Sequence, residues 1–96
     1  MSNLYVDFAG VETCISQVKT QVENLKNAAA EISTTVETNL GEYWSGKSYE
    51  KCVSTYENEY KILLTKQVPD LVEELDNFIQ VCRDRLKEAD EELGKV

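Results

Sequence analysis

The feature that most constrains this chain is the spacing of its apolar residues between positions 8 and 36. Successive apolar positions lie three or four residues apart without a gap, which is the heptad rhythm of a helix with one apolar seam. These positions are Phe8, Val11, Ile15, Val18, Val22, Leu25, Ala29, Ile32 and Val36. The pattern predicts one long helix that must bury this seam against another helix.

Signals at both ends predict the bounds of this first helix. Asp7 is a suitable N-cap, because a short acidic side chain accepts hydrogen bonds from the free N–H groups of a first turn. Gly41 follows Leu40 where a helix often ends on a C′ glycine. We therefore expect helix one to cover residues 8–40, with no proline or glycine after Gly10 to interrupt it.

A second apolar stripe begins just after Gly46 and predicts helix two over residues 47–92. The stripe consists of Tyr49, Cys52, Tyr56, Tyr60, Leu63, Leu71, Leu75, Phe78, Cys82, Leu86, Ala89 and Leu93. Apolar neighbours at Val53, Leu64, Val72 and Ile79 widen it, which indicates a second surface to cover. Pro69 lies inside this helix and predicts a kink or short break near residues 66–69.

Residues 41–46 are too few for anything but a tight connection between two antiparallel helices. The predicted fold is all-α: one domain over residues 1–96, folded as an antiparallel helix-turn-helix hairpin. A lone hairpin of 96 residues buries little apolar area, so we expect it to dimerise into a four-helix bundle. The small residues Ala28, Ala29 and Ala30 would allow close approach of another helix. The expected hairpin and dimer seam comprises Phe8, Val11, Ile15, Val18, Val22, Leu25, Ala29, Ile32, Tyr56, Tyr60 and Leu63.

The predicted hairpin geometry determines where the three cysteines lie relative to one another. With a turn centred near residue 43, the numbers of facing residues would sum to about 86, which places Cys52 near Thr34. Cys14 and Cys82 would then be about 15 Å apart along the axis, too far for a disulfide. We expect buried or half-buried thiols, with Cys14, beside the seam, the one most open to solvent or to another chain.

Composition excludes several functions. Ten Lys and Arg against 18 Asp and Glu leave a net charge of -8, which argues against a nucleic-acid partner. The chain has no histidine, the residue most used as a general base and zinc ligand, so we expect neither an enzyme nor a metal or cofactor site. Residues 1–20 have no basic leader or long apolar run, and no stretch nears the roughly 20 apolar residues of a membrane-spanning helix.

The single tryptophan lies in the predicted turn, as Trp44-Ser45-Gly46. Taken alone, an indole there is as well explained as a structural anchor that covers the end of the helices. A chain of about a hundred residues with a Trp-X-Gly turn between two amphipathic helices and an acidic charge resembles the WXG family along its whole length. Members of that family are small, early-secreted-antigen-like substrates of the type VII secretion systems of Gram-positive bacteria and mycobacteria.

The resemblance implies a folded homodimer or heterodimer of antiparallel hairpins, exported by a membrane-bound ATPase. In the family, a signal pairs the Trp-X-Gly turn of one subunit with a C-terminal Tyr-X-X-X-Asp/Glu motif of the other. Here the turn is Trp44, Ser45 and Gly46, but the tail lacks that tyrosine motif. Its nearest match is Leu86, Asp90 and Leu93, which share one helical face. Without the resemblance, Leu86 and Leu93 are explained as ordinary stripe residues and Asp90 as a solvated residue.

We therefore expect a small type VII secretion substrate or secretion partner that acts through protein–protein contacts. The resemblance implies as partners a second copy of the chain or a paralogous hairpin, together with the secretion ATPase. It also implies synthesis in the cytoplasm without a signal peptide, followed by export. The alternative is a cytosolic coiled-coil adaptor or chaperone for a helical client such as a larger secreted toxin.

Overall fold

The structure is a computed structural model that describes residues 5–94. Its first helix, α1, spans Phe8–Glu37. The connection contains a short 3-10 helix over Asn39–Glu42. The returning arm begins with α2 (Lys47–Thr55), continues through π-helical turns at Tyr56–Tyr60 and Leu63–Gln67, and ends with α3 (Val68–Gly94). The backbone of this second arm is helical throughout residues 47–94.

The helices α1 and α3 pack antiparallel, and the chain forms a rod of 71 × 20 × 18 Å. The predicted all-helical hairpin is therefore confirmed for one chain. Its core is a cluster of four buried residues, Ile15 and Val22 on α1 and Val72 and Ile79 on α3. Half-buried residues pack around this cluster: Val11, Val18, Val68, Leu75, Cys82 and Leu86.

The N-terminal cap of α1 is the predicted one. The side chain of Asp7 accepts a hydrogen bond of 2.9 Å from the backbone N–H of Gly10. This bond satisfies one of the donors that the first helical turn leaves without an intrahelical partner. The N-terminal boundary of α1 is thus set by local sequence alone.

The C-terminal end of α1 differs from the prediction. The helix ends at Glu37, and the cap residue Thr38 donates its N–H to the carbonyl oxygen of Thr34. Several residues before this point are β-branched and so favour a helix less. The prediction that Gly41 is a C′ glycine is wrong, because Gly41 lies inside the 3-10 helix and Gly46 is the described glycine with a positive φ.

The two π-helical turns lie where α2 passes into α3. Val68 donates its N–H to the carbonyl oxygen of Leu63, five residues back, immediately before Pro69. A proline cannot donate a backbone hydrogen bond, and its ring clashes with the carbonyl one turn earlier. A wider turn just ahead of Pro69 is therefore a local way to accommodate it without ending the helix.

Polar contacts between the arms define their register. Ser33 and Tyr56 are hydrogen-bonded near the tip, and Lys19 pairs with Asp76 at 3.0 Å further along. Between these contacts the residue number advances by 14 along α1, from 19 to 33, and by 20 along the second arm, from 56 to 76. Both π-helical turns lie in that interval, and a wider turn takes more residues for the same rise.

The predicted register is therefore wrong at the end of the rod away from the turn. Facing residue numbers there sum to about 95, as Lys19 and Asp76 show, and not to 86. Cys14 and Cys82 consequently lie at the same level, and both line one surface groove. Both thiols are free, Cys14 is exposed and Cys82 is half-buried. Axial distance therefore does not separate these two cysteines, contrary to the prediction.

Candidate functional site

The tip of the hairpin carries the Trp-Ser-Gly sequence on an exposed turn. The indole N–H of Trp44 donates to the hydroxyl of Ser48 at 3.2 Å, and the ring lies 5.7 Å from that of Tyr49 at an angle of 56°. Both partners, Ser48 and Tyr49, lie in the first turn of α2. With 41% of its surface exposed, the indole fixes the local shape of the tip and still presents a face to solvent.

Two glycines make this tip possible for different reasons. Gly46 has φ 106° and ψ -175° at the N-cap of α2, a backbone conformation that is essentially restricted to glycine. Its carbonyl oxygen accepts the N–H of Glu50 at 3.0 Å. Gly41 instead allows a close approach, because a Cβ there would be 2.9 Å from the hydroxyl of Tyr49.

The conformation of Gly46 leads to a stability prediction. We expect Gly46→Ala to lower the free energy of unfolding by about 1–3 kcal/mol, because a Cβ is strained at this φ and ψ even though the space around it is open. Urea denaturation followed by circular dichroism measures the change. Gly94→Ala is the matched control, since Gly94 is helical and equally open. Equal midpoints for the two variants would contradict the argument.

The second half of the predicted signal lies at the other end of the rod. Leu86 is half-buried against the core cluster, Asp90 is exposed, and Leu93 is 38% exposed. Leu86 and Asp90 border the same shallow depression as Phe8, at the start of α1. The 30 residues of α1 separate this end from the tip by about 45 Å. The two halves of the predicted signal therefore cannot meet within one chain.

The predicted seam residues divide into three groups in the single chain. Four are buried: Ile15, Val22, Ala29 and Tyr56. Three are half-buried: Phe8, Val11 and Val18. Four remain exposed: Leu25 at 38%, Ile32 at 47%, Tyr60 at 52% and Leu63 at 41%.

An open groove lies along one side of the contact between α1 and α3, and sequence reasoning did not identify it. It has a volume of about 870 Å³. The lining is mainly apolar and comes from both helices, including Val11, Cys14, Val18, Phe78 and Cys82. The wide stripe of helix two was the one sequence signal of this surface.

Ion pairs connect the two arms elsewhere. Hydrogen bonds to Asp76 and then to Glu23 raise the pKa of Lys19, and a hydrogen bond to Glu37 raises the pKa of Lys61. A raised lysine pKa means that the folded state favours the charged form. The resulting stabilisation is present at neutral pH and is lost only as the pH rises beyond 10.5. Solvent screens these exposed pairs, so they mainly specify how the helices align.

The described residues contain no group of three or more acidic or cysteine side chains placed to hold a metal ion. Within residues 5–94, no helix is both long and apolar enough to cross a membrane.

Comparison with known proteins returns no relative. No model of a protein family matches the chain, no curated protein matches it, and no solved structure matches it.

Proposed function

We propose that this chain is a small substrate or secretion partner of a type VII secretion system, exported folded as a dimer. The observation that carries the proposal is the presentation of Trp44-Ser45-Gly46. This tripeptide forms the exposed tip of an antiparallel helical hairpin, and a glycine-only backbone conformation at Gly46 holds it there. A turn of this kind is the recognition element that the WXG resemblance implies.

The position of the second motif supports a dimer as the exported form. Leu86, Asp90 and Leu93 lie about 45 Å from Trp44 in the same chain. In an antiparallel pair of rods, the tip of one subunit comes beside the opposite end of the other. A two-part signal that spans both subunits would then be assembled only in the dimer, and unpaired chains would not be recognised.

The exposed apolar surface supports the same proposal. Large apolar side chains such as Phe78, at 55% exposure, and Ile32, at 47%, remain open to water in the single chain. Exposed apolar side chains on both arms, together with the apolar groove that Phe78 lines, favour a protein–protein contact. The partner is either a second copy of the chain or a paralogous hairpin, and the bundle is recognised by the membrane-bound secretion ATPase.

Fractionation of the native producer tests this function directly. Cells with and without the type VII ATPase are separated into cytosol and medium, and this chain is detected in each fraction with an antibody. We expect it in the medium only when the ATPase is present. A cytosolic protein released from both strains to the same extent controls for lysis.

Retention of the chain in the cytosol of both strains would overturn the proposal. That outcome would favour a cytosolic adaptor, whose exposed apolar side chains would bind a helical client instead of a second hairpin. A pull-down from the cytosol with the purified chain would then identify the client.

A further inference from the structure

Two cysteines lie level with each other at the end of the rod away from the turn. Facing residue numbers there sum to about 95, as the ion pair of Lys19 with Asp76 shows. Cys14 on α1 and Cys82 on α3 differ from this register by one residue, which is about 1.5 Å along the helix axis. The chain between them runs to the tip and back, so only the tertiary structure brings the two thiols together.

The same two cysteines also lie on one edge of the contact between α1 and α3, where both line the groove. The opposite edge is closed by the ion pair of Lys19 with Asp76. Lys19 is about 140° around α1 from Cys14. Asp76 is about 120° around α3 from Cys82. The thiols therefore share both a level and an edge, which are the two conditions for facing each other across a pair of helices.

A disulfide can span the distance between two such positions. The axes of packed helices are typically about 8–10 Å apart, and each Cα atom lies about 2.3 Å from its own axis. Residues at one level on the same edge of the contact therefore have Cα atoms roughly 6–8 Å apart. A disulfide needs Cα atoms within about 6.8 Å. An approach of the two helix ends by about 1 Å at most is enough to form the bond.

The third cysteine is too far away to compete within one chain. Cys52 lies in α2 near the tip, close to the hydrogen bond between Ser33 and Tyr56. It is therefore about 35 Å along the rod from Cys14. From Cys82 it is about 45 Å along the second arm. Of the three cysteines, all within residues 5–94, one pair alone can form an intrachain bond.

We propose that Cys14 and Cys82 form an intrachain disulfide when the chain meets an oxidant, and that the exported protein carries this bond. Both thiols are free in the structure, which is thus the reduced form. The pairing depends only on the fold, whereas the presence of the bond after export rests on the proposed function. The cytosol keeps thiols reduced, and disulfides persist outside the cell. The bond joins α1 to α3 across the groove.

The difference in exposure gives each thiol its own step in the reaction. Cys14 is exposed, so its thiolate attacks one sulfur of a small disulfide oxidant such as glutathione disulfide, and one glutathione leaves. The thiolate of the half-buried Cys82 then attacks the Cys14 sulfur of this mixed disulfide, and the second glutathione leaves. The protein loses two protons and two electrons, which reduce the oxidant to two molecules of glutathione.

Oxidation of the purified full chain tests the pairing. The chain is treated with glutathione disulfide at low protein concentration, and the remaining thiols are alkylated. We expect a monomer that has lost two hydrogens and carries one alkyl group, on Cys52. After proteolysis, mass spectrometry should find the peptides of Cys14 and Cys82 joined, and a reductant should separate them.

Thermal unfolding gives a second readout of the same bond. A disulfide that closes a long loop constrains the unfolded chain, so we expect the oxidised protein to melt at least about 10 °C above the reduced one. Circular dichroism follows the transition with and without a reductant. The difference in Tm should disappear when the bond is reduced.

Exchanging Cys14 with its neighbour Ser16 provides a matched control. The variant Cys14→Ser with Ser16→Cys has the composition of the natural chain, and both positions are exposed. The thiol is moved about 160° around α1, away from the groove. We expect at least about tenfold less linked monomer and no rise in Tm. Cys52→Ala should link as the natural chain does, and circular dichroism verifies that each variant is folded.

Thiol trapping in the producer tests the bond after export. Cells and medium are treated with N-ethylmaleimide before they are separated, which blocks every free thiol. We expect the chain in the medium to carry the bond between Cys14 and Cys82, and the chain in the cytosol to be blocked at both residues.

Each contrary result has a distinct meaning. A natural chain that links no better than the exchange variant, or that links mainly as a dimer through Cys14, would overturn the pairing. An exported chain with Cys14 and Cys82 both blocked would overturn the bond after export and leave the proposed function intact. Absence of export, with the purified chain still forming the bond, would overturn the proposed function and support the pairing.

Discussion

Replacing both Ile15 and Val22 with aspartate is expected to abolish folding of the hairpin. These residues are 7% and 4% exposed and form the α1 half of the four-residue core. Each buried carboxylate without a partner costs several kcal/mol, and each substitution also removes a branched side chain that α3 packs against. Domains as small as this one have a total stability of roughly 5–15 kcal/mol, so the double change exceeds what the fold can absorb.

Far-ultraviolet circular dichroism measures this outcome as loss of the helical signal at 222 nm and of a cooperative thermal transition. The matched control is Ser16→Asp with Asn24→Asp, which adds the same two charges to α1 at exposed positions. The control should stay helical and melt cooperatively. If the core variant melts cooperatively at a temperature close to that of the control, Ile15 and Val22 are not at the centre of the core.

Replacing Trp44 with alanine is expected to prevent export while leaving the hairpin folded. The indole contacts Ser48 and Tyr49 locally, and the buried core of α1 and α3 lies elsewhere in the rod. Its loss should therefore change the helical signal little. Under the proposed function, recognition should be lost because the indole, 41% exposed, would be the part of the tip that the secretion ATPase contacts.

The comparison of medium and cytosol for the Trp44→Ala strain gives the readout, with the purified variant analysed in parallel by circular dichroism. Tyr43→Ala is the matched control, since Tyr43 is the preceding aromatic residue and is 88% exposed. We expect this control to be exported at the normal level. Export of Trp44→Ala at the normal level would show that the indole is not part of the export signal. Loss of folding in this variant would show that Trp44 is a structural anchor of the hairpin.

The two regions of the proposed signal differ in how strongly the fold holds them. Trp44 lies on a turn that is tied to α2 by one side-chain hydrogen bond and one ring contact. Leu86, by contrast, packs against the core and lines the groove beside the contact between α1 and α3. Under the proposed function, a change at Leu86 would therefore disturb the packing of the hairpin as well as the C-terminal motif.

Local sequence patterns predicted the features of the fold that depend on residues close together in the chain. The spacing of apolar residues predicted two antiparallel arms, and Asp7 predicted the start of α1. The predicted C-terminal end of α1 was wrong because the position of Gly41 is typical of a C′ glycine. Gly41 instead leaves space for the hydroxyl of Tyr49, which lies in the other arm. The residue pattern of α1 could not predict that contact, because it depends on a residue outside α1.

The sequence by itself determined that this chain is a helical hairpin with more apolar surface than one hairpin can bury, through its heptad spacing, and that it is acidic, through its composition. Only the tertiary structure decided which apolar residues are buried, that Cys14 and Cys82 share a level, and where the groove between α1 and α3 lies. The physical reason is that spacing specifies the angle of each side chain around its own helix. The axial offset between helices depends instead on the connection, on the two π-helical turns ahead of Pro69, and on contacts such as Lys19 with Asp76.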